Sequence, residues 1–193
     1  MSDSSLASPN LAQALWPATV GNRALRALLL AIAGSALLTL SAKIQVPFWP
    51  VPMTMQTFAV LVIAMAYGPR LGAGTVALYL AEGAAGLPVF ANGGGFAYFA
   101  GPTAGYLIGF LVAAALIGWL GDRGWDRRVV TTLAAMALGT VVIFAFGVAW
   151  LSVLIGVAKA IAGGLTPFLL GAAFKIALAA AVLPLAWRLV RRD

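Results

Sequence analysis

Two charged side chains lie well inside apolar stretches of this chain: Glu82, in the run before Leu87, and Lys175, in the run from Phe168 to Trp187. A charge in hydrocarbon costs about 2.5–3.5 kcal/mol on insertion scales, so such a group usually finds a partner or lines a cavity. Lys175 is about seven residues into its run, roughly 10 Å deep at 1.5 Å per residue. An ammonium donates three hydrogen bonds and a carboxylate only accepts them. Together they suit the recognition of a small polar molecule. The plainer reading of each is an interfacial glutamate and a snorkelling lysine. Lys43 and Lys159 flank loops and carry less weight. Asn92 opens the run Asn92-Gly93-Gly94-Gly95, where its amide serves either the turn itself or a ligand. Trp49, Phe90, Tyr98 and Tyr106 could wall a site.

Other chemistries lack their residues. There is no Cys and no His, which removes thiol nucleophiles, disulfides and the commonest general base and metal ligand. The five acids are Asp3, Glu82, Asp122, Asp126 and Asp193, and no two share an apolar run. No G-x-x-x-x-G-K-[ST] string occurs, so the chain carries no ATP-binding loop of that type. Ser35, Ser41 and Ser152 lie on apolar runs without a base beside them. No metal or cofactor is expected, and a membrane-embedded enzyme is a poor second to a binding or transport protein.

The elements that position these residues follow from composition. The 193 residues are 63% apolar and 9% charged, with a mean hydropathy of +1.02. A soluble domain is about 25% charged, so this is an integral membrane protein of the all-α class. The net charge of +7 does not indicate nucleic acid as a partner, because the basic residues end the apolar runs. The partner they imply is the lipid bilayer. Proline and glycine punctuation divides the chain into a polar tail over 1–22, with a short interfacial turn at Leu11–Trp16, and one six-helix domain over 23–193. The spans are expected at 24–42, 53–67, 71–87, 102–120, 129–151 and 168–187. Outer loops are expected at 43–53, 88–101 and 158–167. All nine arginines fall at the termini or at alternate turns. An even span count puts them on one face, which the positive-inside rule makes cytoplasmic, together with both termini. Gly101, Gly105 and Gly109 stand four apart and predict close helix packing. Ala27 and Ala31 form a similar small-residue pair on the first span.

Several strings in order give the chain a family likeness. They are Val51-Pro52-Met53-Thr54-Met55-Gln56-Thr57, Gly68-Pro69-Arg70-Leu71-Gly72, Gly86-Leu87-Pro88-Val89-Phe90 with the glycines after it, Gly101-Pro102-Thr103-Ala104-Gly105-Tyr106, and Pro167-Phe168-Leu169-Leu170-Gly171 leading to Lys175. Over about 23–190 the chain resembles the BioY family, the biotin-specific substrate-binding (S) components of energy-coupling-factor (ECF) transporters. The resemblance implies a six-helix bundle in the cell membrane that binds biotin under its outer loops. It implies a transmembrane coupling subunit and a pair of ATPases as partners, docked through Ala27-x-x-x-Ala31. Some members are reported without that module, and the sequence leaves a homo-oligomer open.

The family's site carries over in part. Its glycine-loop Asn matches Asn92 and its last-helix Lys matches Lys175. The usual Gly-Asp-x-x-Lys reads here Gly171-Ala172-Ala173-Phe174-Lys175, and an Arg that some members carry after the Gly-Tyr pair is Leu107. The lost carboxylate would have accepted strong bonds from ureido N–H groups. Glu82 or backbone carbonyls are expected to take that role. The change also raises a second reading, an S component for a different vitamin.

Overall fold

In the computed structural model, residues 10–17 and 22–190 are described. The chain runs α1 (Leu11–Leu15), α2 (Arg23–Lys43), β1 (Gln45–Val46), β2 (Met53–Thr54), α3 (Gln56–Ala84), a 3-10 turn (Phe96–Ala100), α4 (Ala104–Gly121), α5 (Val129–Ile155), α6 (Val157–Gly164) and α7 (Phe168–Val190). The protein is an all-helical bundle; α2, α4, α5 and α7 are long and apolar enough to cross a membrane, and α3 is so only by its total length and composition.

The expected second and third spans, 53–67 and 71–87, fall on α3 except at their outer ends, where Met53 and Thr54 form β2 and the helix stops at Ala84. Gly68, at φ 79° and ψ 175°, breaks the helix there, and Pro69 follows. A straight helix would separate Gln56 and Tyr79 by about 35 Å at 1.5 Å per residue. Instead Gln56 Nε2 donates to Tyr79 Oη at 2.6 Å. A Cβ on Gly72 would come within 2.8 Å of Ala64 Cα. The two arms of α3 therefore fold back on each other as a hairpin bent at Gly68–Pro69. Each arm is shorter than the roughly 20 residues of a full crossing.

Two other expectations need correction. The segment 158–167, expected as a loop, is largely helical in α6, which follows α5 after a break at Gly156, φ 84°. Within the tail assigned to 1–22, residues 10–16 pack on the bundle. Asn10 caps α1, and its Nδ2 donates to Tyr67 O at 3.2 Å and Asp122 Oδ1 at 3.3 Å.

The core lies where α4 is sandwiched between α3 and α5. Met65, Tyr79, Ile117, Met136 and Ile143 are fully buried there. Glycines set the spacing. A Cβ on Gly109 would meet Ile143 Cα of α5 at 3.0 Å, and one on Gly118 would meet Pro69 N of α3 at 2.6 Å. Gly105 is equally tight against Phe146 and Trp150. The expected glycine packing thus holds for Gly105 and Gly109. Gly101 ends the 3-10 turn before α4 begins and touches Tyr98 instead.

Candidate ligand site

Away from the arginine-bearing end, a cavity opens between β2, the first arm of α3, the loop that follows α3, α4, α5 and α7. Small-molecule sites commonly have mostly apolar walls and a few placed polar groups. Phe90, Tyr98, Tyr106, Phe110, Phe144 and Phe168 form the aromatic wall. Thr54, Gln56, Thr57, Thr103 and Lys175 supply the polar groups, and Ala172 and Leu107 complete two sides.

Each wall is fixed by the elements behind it. Phe90 is buried, with Tyr98 at 4.7 Å between ring centroids and Tyr79 edge-on at 5.4 Å. The far end of its ring lies against Gly83, where any Cβ would collide with it. Tyr106 packs on Gly147 and donates its hydroxyl to Gly164 O at 2.7 Å, tying α4 to the end of α6. Gln56 donates to Tyr79 Oη, which donates to Val89 O at 3.0 Å, so the loop after α3 is held to the first arm. Lys43 Nζ donates to Phe90 O at 2.7 Å and braces the same loop from α2.

Lys175 is half-buried on α7. Its Nζ donates to Thr54 O at 2.6 Å and to Thr57 Oγ1 at 3.2 Å. An ammonium has three protons, so one donor remains for the cavity. Among the described residues no carboxylate lines this cavity, and Lys175 is its one charged wall residue.

The structure brings together four of the seven expected binding residues: Lys175, Phe90, Tyr98 and Tyr106. Three stand elsewhere. Trp49 is 83% exposed on the loop between β1 and β2, and its neighbours Val51 and Pro52 line the cavity in its place. Asn92 is exposed, and its Oδ1 accepts from Gln45 Nε2 at 3.4 Å. Glu82 faces α2, where Ser35 Oγ donates to its carboxylate. Glu82 was expected to meet the ligand; here it does not line the cavity, and its carboxylate is engaged by Ser35 instead. Ala27 and Ala31 lie on the half-buried side of α2, while Leu25, Leu28, Leu29 and Ile32 are the exposed ones. Thr57, Thr103 and Phe144 were not singled out in the sequence. Thr57 and Thr103 fall within two of the strings that carry the family likeness, which was the available signal.

Residues 11–192 match the model of the BioY family. A protein of Thermotoga maritima described as "Biotin transporter BioY" is 39% identical over 150 residues, covering 77% of this chain and 88% of that one. A "Biotin transporter BioY" of Rhizobium etli is 39% identical over 153 residues, covering 74% and 81%. The crystal structure at 2.1 Å of the S-component for biotin from an ECF-type ABC transporter superposes with a TM-score of 0.76. It is 25% identical, and the match covers 90% of this chain and 95% of that one.

Proposed function

The chain belongs to the BioY family, and from that premise we propose that it binds biotin in the cavity beside Lys175 and delivers it across the cell membrane. It is a multi-pass transporter subunit and not an enzyme. The observation that carries the biotin assignment is the lone ammonium of Lys175 in a wall without carboxylates. A charge so placed is costly until it is paired. Biotin brings a carboxylate, and its bicyclic body suits the aromatic wall. The ureido N–H groups then meet neutral acceptors, such as Thr103, Gln56 and main-chain oxygens around the cavity. This pose assigns Lys175 to the carboxylate, where the sequence alone left the ureido oxygen equally open.

Delivery needs an energy source that the chain does not encode. A transmembrane coupling subunit and its ATPases supply it in this reading. The docking face is the exposed leucine and isoleucine side of α2, with Ala27 and Ala31 turned toward the bundle.

Calorimetric titration of the purified protein with biotin and with biotin amide tests the assignment. Submicromolar biotin binding is expected, with the amide at least about tenfold weaker, or about 1.4 kcal/mol. Equal affinities would move Lys175 to the ureido oxygen. Absence of biotin binding together with tight binding of another vitamin would overturn the substrate.

A further inference from the structure

The opposite end of the bundle carries a second pair of cavities that biotin binding leaves unused. The larger, about 640 Å³ and open, lies between α1, the start of α2 and the bend of α3. Arg23, Arg26 and Arg70 line it, with Asn10, Gln13 and Asp122. Among the described residues none of these three arginines makes an ion pair. The one carboxylate present, Asp122, accepts from Asn10. Arg26 donates through Nη2 to Ala12 O at 2.8 Å, while its buried Nε has no hydrogen-bond partner. The second cavity, about 470 Å³, is an apolar groove lined by Leu11, Leu15, Trp16, Leu30 and Ala66. Ala12 and Tyr67 belong to both linings, so the two are continuous.

We propose that this composite site holds one anionic phospholipid, its phosphate on Arg23, Arg26 and Arg70 and an acyl chain in the groove beside α1. Guanidinium groups match phosphate oxygens in fork geometry. Basic pockets between membrane helices at the headgroup level are a known setting for such lipids. The groove separates a lipid from a free phosphate. A soluble anion would use the arginines and leave the apolar extension empty. The lipid would also complete the packing of α1, which touches the bundle mainly through Asn10, Leu11 and Ala12 and leaves Leu15 66% exposed.

Native mass spectrometry of the full chain released from detergent tests this with three probes: dioleoyl phosphatidylglycerol, dioleoyl phosphatidylcholine and inorganic phosphate. The phosphatidylglycerol adduct is expected to survive activation that strips phosphatidylcholine, and millimolar phosphate should not displace it. The double variant Arg26→Gln/Arg70→Gln should lower phosphatidylglycerol occupancy roughly 25-fold, about fivefold for each arginine. Arg123→Gln/Arg128→Gln, of equal charge but outside the cavity, should leave it unchanged. Unaltered biotin affinity at the far end reports that each variant is folded. Equal retention of both lipids, displacement by phosphate, or equal loss in both double variants would each overturn the proposal. The wild-type comparison decides it even if the cavity variant does not fold.

Discussion

Lys175 Nζ lies 2.6 Å from the main-chain oxygen of Thr54, and this bond ties α7 to the strand that leads into α3. The lysine is thus held at the cavity by two acceptors, with Thr57 Oγ1 as the second. Its position does not depend on a ligand, which spares binding the cost of ordering a long side chain. Lys175→Ala should weaken biotin binding at least about tenfold, or about 1.4 kcal/mol, by calorimetric titration. An unchanged affinity would remove Lys175 from the site.

Glu82 makes a separate and opposite prediction. Its carboxylate accepts from Ser35 Oγ on α2 and does not reach the cavity. Glu82→Gln should leave biotin affinity within about twofold. Ser35→Ala should instead lower thermal stability, because a carboxylate left without its donor in a half-buried setting costs about 1–3 kcal/mol. A tenfold loss of affinity in Glu82→Gln would return that residue to the ligand.

The contrast between these two charges shows what was legible in the sequence. Lys175 and Glu82 both stood out as charges in apolar runs, but only depth could be read from spacing. A helix that is apolar all round offers no polar stripe to tell which side a lone charge faces. The face of Glu82 was therefore hidden until α2 was placed against it. Asn92 lies off the cavity lining for a related reason. The glycines after it permit several loop paths, and the one taken turns Asn92 toward Gln45 and Ala91 toward the cavity. Helix ends were clearer at Pro69 and Pro88, which leave few alternatives. The helix α6 escaped notice because eight residues between two spans read as a turn. The arginine groupings pointed to one end of the bundle, and Arg23, Arg26 and Arg70 do share a cavity there.

Two glycines of the second arm of α3 should respond in opposite ways to the same substitution. Gly83 is covered by the Phe90 ring, and an added methyl there collides with it. Gly83→Ala should displace the Phe90 wall and reduce biotin affinity by about tenfold or more, with a destabilisation of about 1–3 kcal/mol. Gly74 has nothing within 4 Å of its would-be Cβ. Gly74→Ala should be neutral or stabilise by up to about 1 kcal/mol through helix propensity. Thermal unfolding and titration of both variants would check the pair, and equal behaviour would contradict it.

Asp126, in the turn between α4 and α5, gives the stability a pH dependence. It is fully buried, with Trp187 Nε1 donating to Oδ2 and with Oδ1 lacking a hydrogen-bond partner. Burial raises its pKa above the ordinary 3.8, and the Trp187 hydrogen bond and Arg127 only partly oppose that. The folded chain therefore holds this proton to higher pH than the unfolded chain does. By linkage, this residue's contribution is most favourable below about pH 4 and declines as pH rises through the raised value. Asp126→Asn should flatten that part of the profile. Melting temperatures of both proteins between pH 4 and pH 7 would show it. A parallel fall in the two would rule Asp126 out as the cause.

Ala172 stands one turn before Lys175 on the same face of α7, and both line the cavity. Side chains three apart on a helix are neighbours. Ala172→Asp would therefore place a carboxylate beside the ammonium and restore the Gly-Asp-x-x-Lys pattern. The lysine would then have a partner without any ligand. Its attraction for the biotin carboxylate should weaken, while the new oxygens would accept from the ureido N–H groups. The two effects oppose each other for biotin, whose affinity should change by less than about tenfold. For biotin amide only the gain applies. The biotin-to-amide affinity ratio should thus fall toward one in Ala172→Asp, measured by titrating both ligands against both proteins. A ratio that stays at the wild-type value would mean that Lys175 and the ligand carboxylate do not meet.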